Sequence, residues 1–139
     1  MLSFATKISI HAAPETIWRL LVDVGRWTEW NTTVKKVDGV VALGSKVTVH
    51  PKISDRAFPV KVLTLDEPRR MVWGSGVPFG LFKGERVYEL VPQAGGIVEF
   101  SMVETFSGLF SGMITKSIPN MQPAFDELAK CLKERAERG

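Results

Sequence analysis

Residues 82–108 read FKGERVYELVPQAGGIVEFSMVETFSG and contain two runs of alternating side chains around a glycine-rich turn. In a β-strand, alternate side chains point to the same face of the sheet. The PQAGG segment supplies turn residues that join two antiparallel strands as a hairpin. One row of each strand is mainly apolar and the other is more polar, which predicts a sheet with one buried face.

The apolar row of each strand contains one charged residue. Arg86 shares its row with Phe82 and Tyr88, and Glu104 shares the next row with Phe100, Met102 and Phe106. A charge on a buried face must be paired, neutralised or used. The hairpin allows registers that place Arg86 opposite residue 102 or 104, where an arginine and a carboxylate can bond in bidentate fashion.

Three roles for this pair remain open from the sequence. The first is an ion pair that satisfies only itself, with Tyr88 as a shared partner. The second is a polar anchor inside an apolar cavity, which turns one bond toward a ligand carbonyl, carboxylate or hydroxyl. In the third, Glu104 lies in solvent at the end of its strand, since Gly108 follows soon after.

The segments before and between these strands predict an α+β fold. Residues 2–11 alternate as a first strand, and APETIWRLLVDV has helical spacing with Pro14 at the first helical position. RWTEWN predicts a second short helical turn. Short β-rich runs then follow, separated by turn residues, and predict an antiparallel meander: 33–41, 46–51, 59–66, 70–75, 81–91 and 96–106.

The end of the chain predicts a long amphipathic helix. Its apolar residues recur every three or four positions, as Ile118, Met121, Phe125, Leu128 and Leu132. A helix of about 20 residues is about 30 Å long, and prolines in its first turns predict an irregular or kinked start. Its apolar face needs the sheet as a partner, and a twisted sheet around a helix leaves space for a pocket. Residues 1–139 are therefore expected to form a single domain.

Three segments carry a resemblance to a known family: APETIWRLLVDVGRWTEWN (13–31), FKGERVYELVP (82–92) and GGIVEFSMVETFSGLF (95–110). Together with the closing helix, they resemble the START-like or SRPBCC superfamily of polyketide cyclase/dehydrase and lipid-transport proteins, particularly its small bacterial members. The resemblance covers essentially the whole chain. It implies a helix-grip fold, in which a seven-stranded curved antiparallel sheet wraps around a long C-terminal helix and two short helices follow strand 1.

The resemblance also implies that the space between sheet and helix binds a hydrophobic small molecule, such as a lipid or a polyketide. We therefore expect a binder or carrier. The alternative is a polyketide cyclase or dehydratase in which Arg86 polarises a carbonyl and Glu104 acts as acid or base. The sequence leaves open whether Trp73 faces inward. The candidate ligand-binding residues are Trp30, Trp73, Phe82, Arg86, Tyr88, Phe100, Met102, Glu104, Phe106, Met121 and Phe125.

Composition limits the partners that we expect. The net charge is +3, but Lys and Arg are spread along the chain, so we expect no nucleic-acid partner. No apolar run approaches the roughly 18 residues of a membrane span. The chain has one cysteine, Cys131, so it cannot form an intramolecular disulfide, which fits a reducing, cytoplasmic location. We expect Cys131 to be a small buried hydrophobic residue.

Other residues are weaker candidates for chemistry. His11, His50 and Cys131 lie far apart in the sequence and predict no metal cluster, and we expect no cofactor. The turns at 77–82 and 106–114 are unusually apolar and contain Phe79, Leu109, Phe110, Met113 and Ile114. Such turns are consistent with three roles. They form a flexible entrance to the cavity for a hydrophobic ligand, they pack on the long helix, or they form the interface of a homodimer.

Overall fold

The described part of the chain forms one antiparallel sheet, one long helix and several short helices. The computed structural model describes residues 2–77, 79–109, 111–114, 116 and 118–138. The strands are β1 (Leu2–Ile10), β2 (Val34–Gly39), β3 (Lys46–Pro51), β4 (Phe58–Asp66), β5 (Arg70–Val77), β6 (Phe82–Pro92) and β7 (Val98–Ser107). The helices are α1 (Pro14–Val22), a 3-10 helix (Val24–Glu29), a 3-10 turn (Ala94–Gly96), α2 (Ser111–Ile114) and α3 (Gln122–Arg138).

All seven strands belong to one sheet with the order β1-β7-β6-β5-β4-β3-β2, and every neighbouring pair is antiparallel. Strands β2 to β7 form the predicted meander, while β1 pairs with β7 at the far edge. The segment with α1 and the 3-10 helix therefore connects the two edges of the sheet. This arrangement, with α3 packed on the sheet, is the predicted helix-grip fold.

The β6–β7 hairpin has the register that places Arg86 directly opposite Glu104. Its turn is closed by a hydrogen bond from the Gln93 N–H to the Ile97 carbonyl, with an N···O distance of 2.7 Å. Gly95 and Gly96 both have positive φ angles, 78° and 74°, which glycine adopts without the steric cost of a side chain. Of the two registers that the sequence allowed, the turn thus selects the one with paired charges.

Helix α3 is shorter than the sequence predicted, with 17 residues that begin at Gln122. The Gln122 N–H donates to the Asn120 Oδ1 at 3.1 Å, so a side chain satisfies one of the free N–H groups at the helix start. Pro123 lies in the first turn, where its missing N–H costs little. Pro119 lies before the helix. The prolines therefore define where α3 begins.

Helix α3 also holds the exposed edge of β1. The Gln122 side chain donates from Nε2 to the Ala5 carbonyl at 2.6 Å and accepts at Oε1 from the Ala5 N–H at 3.3 Å. Near the other end of the helix, Glu137 accepts from the His11 N–H at 2.8 Å, and Lys133 donates to the Ser9 carbonyl at 2.8 Å. These bonds fix α3 along the sheet and occupy backbone groups of an edge strand.

The core lies between the sheet, α3 and the segment after β1. Cys131 is buried there, as expected. Trp27 donates its indole N–H to the carbonyls of Leu20 and Leu21, both at 3.1 Å, which holds the 3-10 helix against α1. In the described part of the chain, no helix has the length and apolar character needed to cross a membrane.

Candidate functional site

The two predicted charges form an ion pair on the inner face of the sheet. The Arg86 Nε donates to the Glu104 Oε1 at 2.7 Å, and their side chains are only 17% and 12% exposed. The alternative that placed Glu104 in solvent is therefore wrong. The contact joins one nitrogen to one oxygen, so it is not the bidentate pair that the residue types allow.

Two aromatic residues, Tyr88 and Phe125, contact the Arg86 guanidinium. The Arg86 Nη1 donates to the Tyr88 hydroxyl at 3.3 Å, and its Cζ lies 4.9 Å from the centroid of the Phe125 ring. A cation over an aromatic face is attracted by the ring quadrupole. The charge is thus held between the sheet, which contributes Glu104 and Tyr88, and α3, which contributes Phe125.

Burial and charge shift the pKa values of this cluster in opposing ways. Burial lowers the pKa of Arg86, but the nearby Glu104 and Tyr88 outweigh that effect, and the pKa lies above its ordinary value. Burial also raises the pKa of Tyr88 to about 12, although the Arg86 charge opposes the shift. At neutral pH, Arg86 is therefore a cation and Tyr88 is an uncharged hydroxyl.

A cavity of about 100 Å³ lies between the sheet and α3, beside the ion pair. Among the described residues on its wall, Arg86 and Glu104 are the charged ones. The rest of the wall is mainly apolar and aromatic. It consists of Trp27, Thr33, Val34, Val49, Pro51, Ile53, Phe58, Val60, Trp73, Ser75, Gly84, Met102, Phe106, Ile118, Pro119, Met121, Ala124, Phe125 and Leu128.

The structure brings seven of the predicted ligand-binding residues together on this wall: Trp73, Arg86, Met102, Glu104, Phe106, Met121 and Phe125. Trp73, whose orientation the sequence left open, faces inward and is buried. Contact of these seven residues with a ligand stays a prediction.

The other four predicted residues are not on the cavity wall. Trp30 packs against Trp27 with ring centroids 5.6 Å apart, and Phe82 stacks on Phe106 at 6.0 Å. Tyr88 lies behind the wall, where its ring contacts Trp73 at 4.9 Å and its hydroxyl contacts Arg86. Phe100 is fully buried in the core. These residues support the wall and do not form it.

Sequence reasoning missed the wall residues that come from the start of the meander and from α3. Val49, Pro51, Phe58 and Val60 lie on β3 and β4, and Ala124 faces the cavity from the first turn of α3. The alternation of VTVHP on β3 was a signal for Val49 and Pro51, since they share a row with Val47. Ala124 lies three residues after Met121 and four before Leu128, so the helical spacing of the apolar face was a signal for it.

The two apolar loops meet beside each other. The Leu109 N–H donates to the Gly80 carbonyl at 3.0 Å, and Phe79, Leu109 and Met113 are 94%, 76% and 74% exposed. These three side chains therefore do not pack on α3, which was one of the expectations. Phe110 and the side chain of Ile114 lie outside the described residues. A homodimer through these loops stays a prediction.

The histidines lie away from the cavity wall. His50 contacts Asp38 with 2.9 Å between Nε2 and Oδ2, at the outer side of the sheet. Among the described residues, no group of three or more His, Cys, Asp and Glu side chains is arranged to hold a metal ion. The cavity beside Arg86 and Glu104 is therefore the candidate site.

Fold and cavity together define a helix-grip protein of the START-like class. The family model for polyketide cyclase / dehydrase and lipid transport proteins matches residues 1–137. The chain thus belongs to this family.

Solved structures agree with this assignment at the level of the fold. A START superfamily protein from Mycobacterium smegmatis has a TM-score of 0.69 at 16% identity, covering 98% of this chain and 97% of that one. A protein from Thermus thermophilus has a TM-score of 0.70 at 22% identity and covers 97% of each chain. The di-domain ARO/CYC BexL of the BE-7585A biosynthetic pathway has a TM-score of 0.68 at 14% identity. That match covers 96% of this chain but only 46% of BexL. No curated protein matches the sequence.

Proposed function

We propose that this protein binds a hydrophobic small molecule, such as a lipid or a polyketide, in the cavity between the sheet and α3, and carries it unchanged. The observation that supports this function is the composition of the cavity wall. Apolar and aromatic side chains surround one ion pair whose charges cancel. A mainly apolar pocket with a few convergent polar groups is the usual form of a small-molecule site. Family membership supports the same function.

The size of the cavity limits what fits without movement. Its volume of about 100 Å³ is smaller than the roughly 300–1,000 Å³ of typical ligand pockets. An apolar protein cavity of about 150 Å³ holds benzene, so only a short chain or a small ring fits here at rest. A longer ligand requires part of the wall to move outward.

The segment before α3 is the part of the wall best suited to such movement. Ile118, Pro119 and Met121 line the cavity but belong to no helix or strand. They take no part in the strand pairing of the sheet, so their displacement leaves the sheet intact. Met121 is anchored to α3 through its carbonyl, which accepts from the Phe125 N–H at 2.9 Å, but its unbranched side chain adapts to different shapes. We therefore expect longer ligands to enter beside these residues.

Direct binding measurements test the function. Protein purified under native conditions is examined by native mass spectrometry for bound cargo and titrated calorimetrically with fatty alcohols, lipids and aromatic polyketides. Ala124→Phe places a ring in the cavity, and we expect it to weaken binding by about tenfold or more, the factor that corresponds to about 1.4 kcal/mol. Lys130→Phe adds the same ring on the exposed face of α3 and serves as the matched control.

Wild-type protein that carries no cargo and binds none of these compounds would contradict the proposed function. Equal affinities of Ala124→Phe and the wild type would show that a ligand binds elsewhere. Weaker binding by Lys130→Phe would trace the effect of the added ring to general destabilisation, and the unfolding temperatures of both variants separate these cases.

An enzymatic role is a second candidate, favoured by the position of Arg86 and Glu104 side by side on the cavity wall. In an intramolecular aldol addition, Arg86 would donate a hydrogen bond to a carbonyl oxygen while Glu104 removed a proton from the adjacent carbon. That carbon would bond to a second carbonyl carbon, and the proton would return to the new alkoxide. The family description, which includes polyketide cyclases and dehydrases, makes a poly-β-carbonyl chain the substrate to test.

We rank the carrier first because Glu104 is the only carboxylate on the described part of the wall. General acid–base chemistry in an apolar site rarely depends on one ion pair alone. Turnover of a poly-β-carbonyl substrate, lost in Arg86→Ala and Glu104→Gln, would reverse this order. No turnover, or equal rates in the wild type and both variants, would remove the enzymatic candidate.

A further inference from the structure

Among the described residues, the ion pair has polar atoms that make no hydrogen bond. Arg86 donates from Nε to Glu104 and from Nη1 to Tyr88. Between described residues, neither its Nη2 nor the Glu104 Oε2 makes a hydrogen bond. The indole N–H of Trp73, another wall residue, is buried without a partner in the same part of the chain. A ligand oxygen would therefore meet hydrogen-bond donors on this wall.

The charges of the wall sum to zero before any ligand arrives. Arg86 contributes one positive charge and Glu104 one negative charge, and the described wall contains no other charged residue. An uncharged ligand preserves this balance. A carboxylate would add a second negative charge beside Glu104, and two carboxylates in one site repel each other. A buried charge without its own partner is strongly unfavourable.

We propose that Glu104 determines the charge of the ligand: by neutralising Arg86, it makes the cavity select an uncharged carbonyl or hydroxyl group over a carboxylate. This inference rests on the proposed function and narrows its ligand class. Alcohols, ketones, esters and amides with an apolar body fit the cavity, and free fatty acids and other organic anions do not. The donors of Arg86 then serve to orient a neutral oxygen.

Matched pairs of probes test the selectivity. Benzamide is compared with benzoate, and 1-decanol with decanoate, at about pH 8, where carboxylic acids are ionised. Affinities come from calorimetry, and shifts of backbone amide signals in NMR spectra locate the bound probe. We expect the neutral member of each pair to bind about tenfold more tightly or better.

Glu104→Gln should reverse this preference, because Arg86 then keeps a positive charge that pairs well with a carboxylate. Glu99→Gln is the control. It makes the same substitution on the same strand, but Glu99 lies on the other face and contacts the exposed Lys7 at 3.7 Å. We expect Glu99→Gln to keep the wild-type preference.

The outcomes separate a failure of the inference about Glu104 from a failure of the carrier function. If wild-type protein binds the anions as tightly as their neutral partners, the inference about Glu104 is wrong and the carrier function stands. If none of the four probes binds, the inference is wrong, because alcohols and amides should fit the cavity. If the protein in addition carries no cargo and binds none of the lipids and polyketides, the proposed function fails as well. The wild-type comparison needs no variant, so the inference is testable even if Glu104→Gln does not fold. The double variant Arg86→Gln/Glu104→Gln, which has no charge on the wall, should also prefer the neutral probes.

Discussion

At the scale of the residue, the Arg86–Glu104 pair is an unfavourable feature for a protein interior. Removing both charges from water costs free energy, and one hydrogen bond between them recovers only part of it. Apolar residues of similar size often replace a buried ion pair without loss of stability. Stability alone is therefore a weak reason for this pair, and its place on the cavity wall supports the ligand-binding role that we propose for it.

Tyr88 provides a pH test of this cluster, because it is the only tyrosine in the chain. Its pKa of about 12 exceeds the ordinary value of about 10. The folded protein should therefore keep the phenol protonated between about pH 10 and 12, while the unfolded chain loses the proton there. A spectrophotometric titration of the phenolate measures this pKa in folded and in denatured protein.

The sign of the effect on stability follows from the same shift. A raised pKa in the folded state contributes stability that is complete below about pH 10 and is lost as the pH rises to about 12. Tyr88→Phe should remove both the optical transition and this part of the pH dependence. A phenolate that forms near pH 10 in the folded protein would contradict the burial of the hydroxyl beside Arg86.

Alternation along the strands predicted which face of the sheet each residue of the site occupies. It did not predict whether a residue on the inner face lies on the cavity wall or in the packed core. Phe100 and Met102 share the inner face of β7, yet Phe100 lies beside Leu90 and Ile8 in the core, and Met102 reaches the cavity. The position of the cavity along the strands depends on α3 and the 3-10 helix, which are distant in sequence. For the same reason, the sequence prediction named Trp30 as a ligand-binding residue and omitted Trp27, whereas Trp27 lies on the cavity wall and Trp30 does not.

At the scale of the element, the end of β7 is held close to the start of β6 by a glycine. Gly108 has a φ angle of +111°, and a Cβ there would lie 2.8 Å from the Phe82 Cα and 2.9 Å from the Leu81 carbonyl oxygen. Both obstacles are backbone atoms, so they cannot rotate away. No other residue fits this position without displacing one of the two strands that carry the ion pair.

Gly108→Ala should therefore lower the free energy of unfolding by about 1–3 kcal/mol, the range for a strained backbone position. Chemical denaturation measures the change. Gly25→Ala is the control, because no atom lies within 4 Å of the Cβ that it would add, and we expect a change below about 1 kcal/mol. Equal effects of the two substitutions would mean that the close approach at Gly108 is absent in solution.

For α3, the sequence predicted the helix and its buried face but not the residue at which the helix begins. The spacing of its apolar residues predicted the helix and its buried face, and Phe125, Leu128 and Leu132 are buried. The same spacing included Ile118 and Met121, which lie outside the helix. Apolar spacing alone does not separate a helical turn from an extended segment that covers the same core, whereas the prolines limited the helix to its later start.

At the scale of the whole molecule, the cavity wall joins segments that are far apart in the chain. It takes residues from the 3-10 helix, from β2 to β7 and from the first turns of α3. Such an assembly explains why the sequence predicted the fold through a family resemblance but not the cavity volume. The volume depends on how several elements pack together, and small shifts in any of them alter it.

A bound ligand should therefore slow backbone hydrogen exchange in several separate segments at once. We expect 1-decanol to increase protection in β3, β6, β7 and residues 118–128, because each contributes wall residues. Helix α1 contributes none among the described wall residues and should change little. Hydrogen-exchange mass spectrometry with and without the alcohol measures the pattern. Protection confined to α1, or to a single segment, would place the ligand outside this cavity.

Trp27 and Trp73 both border the cavity, and their rings stack with centroids 5.6 Å apart and planes inclined by 22°. Two indoles this close are expected to share their electronic excitation, and the resulting optical signal depends on their separation and angle. A molecule entering beside them would disturb that geometry. The protein thus has an intrinsic reporter, and collections of unlabelled compounds can be screened by near-ultraviolet circular dichroism or emission alone.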